Sequence, residues 1–397
     1  MQKVLFVTSS IGTGGNEKVL LNVLRCLNSQ KFDIFLLVLD GDYSANQIPE
    51  YIHRYELEGN YNLLSKGIKK GFPEAIKRGR VDLALCLIRE KILNYKKNTI
   101  GNYRIFWSVN KEKIEKQRDC FDKAIAFGLG IQVPIVADKI NTRSRIAWVN
   151  NDCSKCLDME HIHFLNEHYA KFDDIVTVTE TAEKGFQKVF ANLHLKTRII
   201  KDLFDEQEII DKSRLVNNPF DFVDRKDSTI ILTVGRVSQE KGYFLLIETA
   251  AQLKKKNFSF YWVIIGNGDV AEYLEYAKRY CVDDVVLFIG ERRNPYPFIR
   301  ECNIYVQTSL WEGNCLTLIE AMVLEKPIVS TNFPSAIEKI EDGKNGLLSD
   351  MDAESLSEKI SFLIQNKTVQ DAMCKHLKEN RLNTQDEIGA IEMLLEE

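Results

Sequence analysis

Three observations on the sequence predict an α/β protein of two domains, each a parallel sheet covered by helices. Short continuous apolar runs of strand length alternate with stretches of helical period along most of the chain, and such runs fit strands buried on both faces. The 397 residues exceed one ordinary core and fit two domains of about 200 each. A polar, charged stretch at 205–227, with Asn217-Asn218-Pro219 inside it, interrupts the pattern, which then restarts as it began. The expected boundaries are a first domain at 1–204, a linker at 205–227 and a second domain at 228–384. A last helix at 385–397 is expected to cross back to the first domain.

In order, Lys3-Val4-Leu5-Phe6-Val7-Thr8 reads as a buried strand and Ser9-Ser10 ends it. The glycine-rich Gly12-Thr13-Gly14-Gly15-Asn16 follows, and from Glu17 the residues Val19, Leu20, Val23, Leu24 and Leu27 recur with helical period. Strand, glycine loop and helix form a unit that brings backbone close to phosphate. The glycines do not fall as Gly-x-Gly-x-x-Gly, so nicotinamide binding has little support. A second strand is expected at 34–39. The stretch 44–110 is less regular, with helices around 73–77 and 81–91. Strands at 124–127, 145–149, 174–178 and 198–200 then alternate with helices such as 162–172 and 182–190. In the second domain, strands are expected at 229–234, 261–265, 285–289, 304–307 and 328–330, and helices at 354–365, 369–380 and 386–396. Pro327 ends the helix before it, since the residue preceding a proline is pushed out of helical geometry.

Hydrophobic content of 45% and charged content of 28% are those of a soluble globular protein. No stretch approaches the roughly 18 apolar residues of a transmembrane helix, and Met1-Gln2-Lys3 runs into a strand pattern without a signal-peptide core, so a cytoplasmic location is expected. Nine cysteines without an export signal should be reduced thiols. Cys153 and Cys156, followed by His161 and His163, have a faintly metal-like spacing, but the second pair is too close for a finger and no second knuckle completes it; no metal is expected. The net charge of −4 hides a surplus of about ten positive charges between Lys66 and Arg118, densest at Lys66, Lys69, Lys70, Lys77, Arg78 and Arg80. A solvated face explains such a run. So does peripheral contact of residues 66–118 with the inner face of an anionic cell membrane, with Leu63, Leu64, Ile68 and Phe72 available to insert. No nucleic-acid module accompanies the charge.

The chemistry gathers at Trp311-Glu312-Gly313-Asn314-Cys315-Leu316 and the apolar helix that follows to Met322. A glycine frees the backbone to approach a ligand, and the free N–H groups of a helix start suit anionic phosphate. Glu312 and Glu320 flank that place; carboxylates repel phosphate, so their partners should be hydroxyl groups. Phosphate with hydroxyls indicates a sugar nucleotide. Gly235-Arg236 follows the first strand of the second domain and Glu240-Lys241-Gly242 opens the next helix, which sets a guanidinium fork and a compact ammonium at the carboxyl end of a strand.

Glu312-Gly313 and Glu320-Ala321-Met322, with seven residues between the glutamates, resemble the signature of the retaining glycosyltransferases of family four. Gly235-Arg236, then Glu240-Lys241-Gly242, resembles that family's diphosphate-binding segment; Gly14-Gly15-Asn16-Glu17-Lys18 resembles its N-terminal loop over the donor. Gly266-Asn267-Gly268, Gly290-Glu291, Asn294-Pro295-Tyr296-Pro297 and Asp342-Gly343-Lys344-Asn345-Gly346 recur in the family's order. Asn294-Pro295-Tyr296-Pro297 and Phe333-Pro334 resemble bacterial surface-polysaccharide enzymes.

The resemblance implies the GT-B fold, two Rossmann-like domains whose parallel sheets face an interdomain cleft. It implies catalytic roles for Arg236 and Lys241, which neutralise the leaving diphosphate without a metal or other cofactor, and for Glu312 on the transferred sugar. Donor binding would fall to Gly14, Gly15, Asn150 and Gly235, to Gly290, Glu291 and Arg292 at the base, to Gly313, Asn314, Cys315 and Leu316 through their backbone, and to Glu320 at the ribose. Asn150 stands where the family often has a histidine, and Lys201-Asp202 where an asparagine is common. The function implied is transfer of a hexose or N-acetylhexosamine, with retention, from a nucleoside-diphosphate sugar, UDP-linked by first choice, to a saccharide or lipid-linked acceptor in surface polysaccharide or glycoconjugate synthesis. Two alternatives are a sugar-nucleotide epimerase of the same fold and an inactive sugar-nucleotide-binding subunit of a transferase complex. No nucleic-acid partner is expected.

Overall fold

A computed structural model describes residues 1–12, 14–40, 48–97, 103–224 and 226–397. The chain divides into two compact units, Met1–Leu203 with Thr384–Glu397, and Phe204–Asn383.

The first unit is built on a seven-stranded sheet, β1 (Gln2–Thr8), β2 (Phe32–Val38), β3 (His53–Tyr55), β4 (Cys120–Phe127), β5 (Asn141–Val149), β6 (Asp174–Thr177) and β7 (Lys196–Ile199). Their spatial order is β3-β2-β1-β4-β5-β6-β7, every pairing parallel. Val4 to Val7 and Ala124 to Phe127 are almost wholly buried, which is why these strands read as unbroken apolar runs. β3 escapes the sequence pattern because it is a three-residue edge strand. The helix Gln385–Glu396 belongs to this unit: Ile391, Leu394 and Leu395 are buried, and Lys31 Nζ lies 2.8 Å from Glu392 and 3.0 Å from Glu396.

The second unit holds β8 (Thr229–Val234), β9 (Phe260–Ile265), β10 (Val286–Phe288), β11 (Ile304–Gln307), β12 (Ile328–Thr331) and β13 (Leu347–Ser349) in the order β10-β9-β8-β11-β12-β13, again all parallel. An apolar layer lies on each face. One includes Leu232, Tyr305, Leu318 and Phe333, the other Ile231, Leu246, Trp262 and Ile360.

The expected linker at 205–227 is corrected. It opens with the helix Glu206–Ser213, capped by Asp205 Oδ1 accepting from the Glu208 backbone N–H at 2.8 Å. Ile209 and Phe220 are buried in the second unit's core, and Phe220 meets Phe298 edge-on at 5.2 Å. The polar residues cover the helix's outer face, so average composition hides two anchors.

In both sheets the chain sends successive strands to opposite sides at one place, between β1 and β4 and between β8 and β11. Ligands of open parallel sheets bind outside the carboxyl ends of the strands at such a switch point.

Candidate active site

The loops after β8 and β11 meet at the second unit's switch point. A Cβ on Gly242, whose φ is +67°, would stand 2.1 Å from the Thr308 carbonyl oxygen, so only glycine allows this approach. Thr308 Oγ1 donates to the Lys241 carbonyl at 2.8 Å, and the Leu310 N–H to that of Glu240 at 2.7 Å. After β9 the packing is as close: a Cβ on Gly266 would lie 1.8 Å from the Gly235 carbonyl oxygen.

These contacts carry Lys241 to Glu312, Nζ to Oε1 at 2.5 Å, with both side chains mostly buried. Burial alone would lower the Lys241 pKa, but the Glu312 carboxylate outweighs it and holds the ammonium above its ordinary value. Ser309 Oγ donates to the same Glu312 oxygen at 2.7 Å, and Ser335 Oγ to the Glu312 carbonyl at 3.2 Å. Behind Ser309, Gln307 Nε2 donates to its hydroxyl at 2.7 Å, and Tyr305 donates to Gln307 Oε1 at 2.9 Å. Tyr305, Gln307 and Ser309 were not singled out from the sequence, although they carry a signal: a strand buried on both faces should be apolar throughout, and here Tyr305 and then Gln307-Thr308-Ser309 at its end are polar.

Arg236 stands beside the pair. Its side chain is 75% exposed, with Nη2 3.5 Å from Glu240 Oε1, and its charge acts against that of Lys241. Glu240 is fixed by Ser238 Oγ at 2.6 Å.

The helix Leu316–Val323 starts at this point, and the side chain of its N-cap residue Cys315 makes no capping bond. Cys315 has a left-handed backbone with a φ of 54°. Burial pushes the Cys315 thiol up to about 12, so it remains a neutral thiol. Gly313 and Asn314 are buried and Leu316 is half-buried. Glu320, one helical turn further in, is 4% exposed, and Tyr296 donates to its Oε1 at 3.1 Å. At the end of β10, Gly290 has a φ of +74°, Asn267 Nδ2 donates to Glu291 at 3.3 Å, and Arg292 donates to the Glu291 carbonyl at 3.1 Å.

The remaining expected residues belong to the first unit. Gly14 precedes the helix Gly15–Cys26, and the Glu17 side chain folds back over it to accept from Ser10 Oγ at 3.1 Å. Thr13 lies outside the described residues. Asn150 follows β5 and is 2% exposed, yet neither its Oδ1 nor its Nδ2 has a hydrogen-bond partner among the described residues. Its neighbour Asp152 caps the helix Cys153–Cys156, accepting from the Ser154 backbone at 2.9 Å.

His161 Nδ1 is 2.8 Å from Asp158, and the Cys156 thiol is exposed. Among the described residues no group of three or more His, Cys, Asp or Glu is arranged to hold a metal ion. In the basic stretch, Leu63 and Leu64 are core residues and cannot insert into a membrane; Ile68 and Phe72 are half-buried. Residues 98–102 lie outside the described residues. No helix of the described residues is long and apolar enough to cross a membrane.

Residues 217–383, which hold this site, match the family Glycosyl transferases group 1. The chain is 29% identical over 210 residues to an uncharacterized glycosyltransferase of Methanocaldococcus jannaschii, a match spanning 50% of this chain and 51% of that one. It is 27% identical to the N-acetylgalactosamine-N,N'-diacetylbacillosaminyl-diphospho-undecaprenol 4-alpha-N-acetylgalactosaminyltransferase of Campylobacter jejuni, across 89% of this chain and 88% of that one. The crystal structure of Anabaena HepE in complex with UDP and glucose has the same architecture, with a TM-score of 0.72 over the whole of both chains at 15% identity. The fold is GT-B, and the chain resembles bacterial surface-polysaccharide glycosyltransferases, as its motifs predicted.

Proposed function

We propose that this chain transfers a hexose or N-acetylhexosamine, with retention, from a nucleoside-diphosphate sugar, UDP-linked by first choice, to a saccharide or lipid-linked acceptor in surface polysaccharide or glycoconjugate synthesis. The observation that carries the reading is the Lys241–Glu312 pair, held at the switch point beside the start of the helix Leu316–Val323. A diphosphate needs fixed positive charge and N–H donors, and a sugar needs an acceptor for its hydroxyl protons; this place offers all three. Two likenesses support the substrate class: the Campylobacter relative's name specifies a diphospho-undecaprenol acceptor, and the Anabaena structure holds UDP and glucose.

In the reaction proposed, the acceptor hydroxyl oxygen attacks the anomeric carbon as its bond to the diphosphate oxygen breaks, and that departing oxygen takes the hydroxyl proton. The chain supplies position and charge. Lys241 and Arg236 neutralise the developing negative charge and Glu312 orients the sugar by accepting from its hydroxyls. Two cations close to the diphosphate serve where other enzymes use a divalent ion, so no metal is required on this reading. Asn150 is assigned to the donor sugar as a neutral hydrogen-bonding group, since an amide cannot act as a base near neutral pH.

The test is thermal shift with a panel of nucleoside-diphosphate sugars in EDTA, followed by transfer assays with the best of them. A donor at a hundred times its dissociation constant stabilises by about 2.7 kcal/mol. Stabilisation that needs a divalent ion removes the metal-free mechanism. Conversion of the donor to an epimer without acceptor replaces the transferase reading with that of an epimerase.

A further inference from the structure

The helix Val81–Lys97 is apolar on two faces, centred about 120° apart at 3.6 residues per turn, and the fold uses one. Leu83, Ala84 and Leu87 face the core and are at most 2% exposed. Val81, Leu85, Ile88 and Ile92 stand at i, i+4, i+7 and i+11, a single stripe along the other face. In that stripe Val81 is 59% exposed, Leu85 60% and Ile92 52%, and Ile88 is half-buried. Exposed leucines are ordinary singly; aligned on one helix face they form a patch that something covers. Exposed Arg89 and Lys91 flank the stripe, roughly 70–90° to either side of it at 3.6 residues per turn. The preceding helix, Gly67–Lys77, adds Ile76, 49% exposed, together with exposed Lys69, Lys70 and Lys77.

The surrounding charge selects the occupant. From Lys66 to Lys91 the sequence has eight basic residues and three acidic ones. Glu74 is occupied by Lys66 and Arg78, Asp82 by Arg80 and Lys113, and Glu90 is half-buried and accepts from Asn110. The outward field is therefore positive. A two-fold contact between copies would set Arg89 and Lys91 against their own counterparts, which like-charge repulsion opposes. Long basic side chains beside an apolar stripe suit a lipid surface instead: the stripe enters the acyl boundary while the charged ends stay among phosphates.

We propose that Val81, Leu85, Ile88 and Ile92, with Arg89 and Lys91, form a docking surface on which the first unit lies against an anionic lipid bilayer. This deepens the proposed function by giving a place to the membrane that would carry a lipid-linked acceptor, and rests on that reading. The full chain is sedimented with phosphatidylglycerol and with phosphatidylcholine vesicles, without donor. The parent should bind the first and not the second. Leu85→Glu with Ile92→Glu should lower the partition more than about tenfold, since two apolar side chains lose their burial, with the melting temperature unchanged. Arg89→Glu with Lys91→Glu should weaken binding at low salt, and its difference from the parent should shrink as salt rises.

A parent that ignores phosphatidylglycerol, binds both lipids equally, or keeps its affinity in the Leu85→Glu/Ile92→Glu variant overturns the proposal. So does a parent dimer that this variant dissociates, which would assign the stripe to a second copy. Vesicle binding with no nucleotide-sugar binding in the thermal-shift panel removes the transferase reading and leaves the lipid surface standing.

Discussion

Lys241 Nζ lies 2.5 Å from Glu312 Oε1, although the two residues come from loops 71 positions apart. Each is the other's counter-charge in a mostly buried place, so removing one strands the other. Lys241→Met or Glu312→Gln alone should cost about 3–5 kcal/mol of stability at most, and the double variant less than the sum, because the uncompensated charge goes with its partner. Urea denaturation of the four proteins of the cycle measures this. Lys241→Met should also weaken donor binding by about 1.5–3 kcal/mol, read by titration calorimetry. Donor binding as tight as the parent's would move the phosphate site elsewhere.

Gly266→Ala should disturb the site through the backbone alone. The new methyl would sit 1.8 Å from the Gly235 carbonyl oxygen, so the loop bearing Arg236 must shift. Loss of more than about 1 kcal/mol of stability, together with weakened nucleotide binding, is expected. The control is Gly389→Ala, in the helix Gln385–Glu396, where a Cβ has nothing within 4 Å. It should gain about 0.5–1 kcal/mol, the helical preference for alanine over glycine.

Asn150 should show opposite effects on stability and activity. A buried amide with no hydrogen-bond partner among the described residues is costly, so Asn150→Leu, close in volume, should leave the melting temperature unchanged or raise it. Asn150→Ala should weaken transfer by about 0.5–1.5 kcal/mol, one hydrogen bond to the donor. An unchanged transfer rate in both variants would remove Asn150 from the site.

Retention should be visible in the product. The anomeric coupling constants of donor and product, compared by NMR, should report the same configuration. Inversion would overturn the front-face path and the family-four resemblance together.

The first unit should lose stability in acid through Asp138. Its carboxylate is partly buried, which alone would raise its pKa; His168 Nε2 at 3.5 Å and Lys171 Nζ at 2.5 Å outweigh that and hold it at about 2. A folded-state pKa below the unfolded value, about 3.9, means a contribution fully present above that value and lost as pH falls through about 2. Urea midpoints between pH 5 and 2 should fall less steeply in Asp138→Asn than in the parent.

The sequence made the alternation of strands and helices plain because strands covered on both faces have no polar side to blur them. Lys241 and Glu312 were legible through the motifs that hold them, Glu240-Lys241-Gly242 and Glu312-Gly313, since singly a lysine or a glutamate is ordinary. Their pairing was not legible, because it depends on Gly242 bringing one loop within reach of Thr308. Cys315 was unreadable for the opposite reason: nothing about a cysteine announces a φ of 54°. The stripe at Val81, Leu85, Ile88 and Ile92 merged with Leu83, Ala84 and Leu87 into one apolar run, and only the fold separates the covered face from the bare one. The helix at Glu206–Ser213 was lost in the average polarity of its neighbourhood.

The return of the helix Gln385–Glu396 to the first unit fixes an order of events during synthesis. Phe204–Asn383 is one uninterrupted piece of chain, so the second unit has all its residues in hand before the first does. The first unit begins to emerge earlier and is completed last, when Ile391, Leu394 and Leu395 arrive to fill their places and Glu392 and Glu396 reach Lys31. A chain released after Asn383 would keep every residue of the second unit and leave the first with an open apolar seam, the state in which such a chain most needs a chaperone.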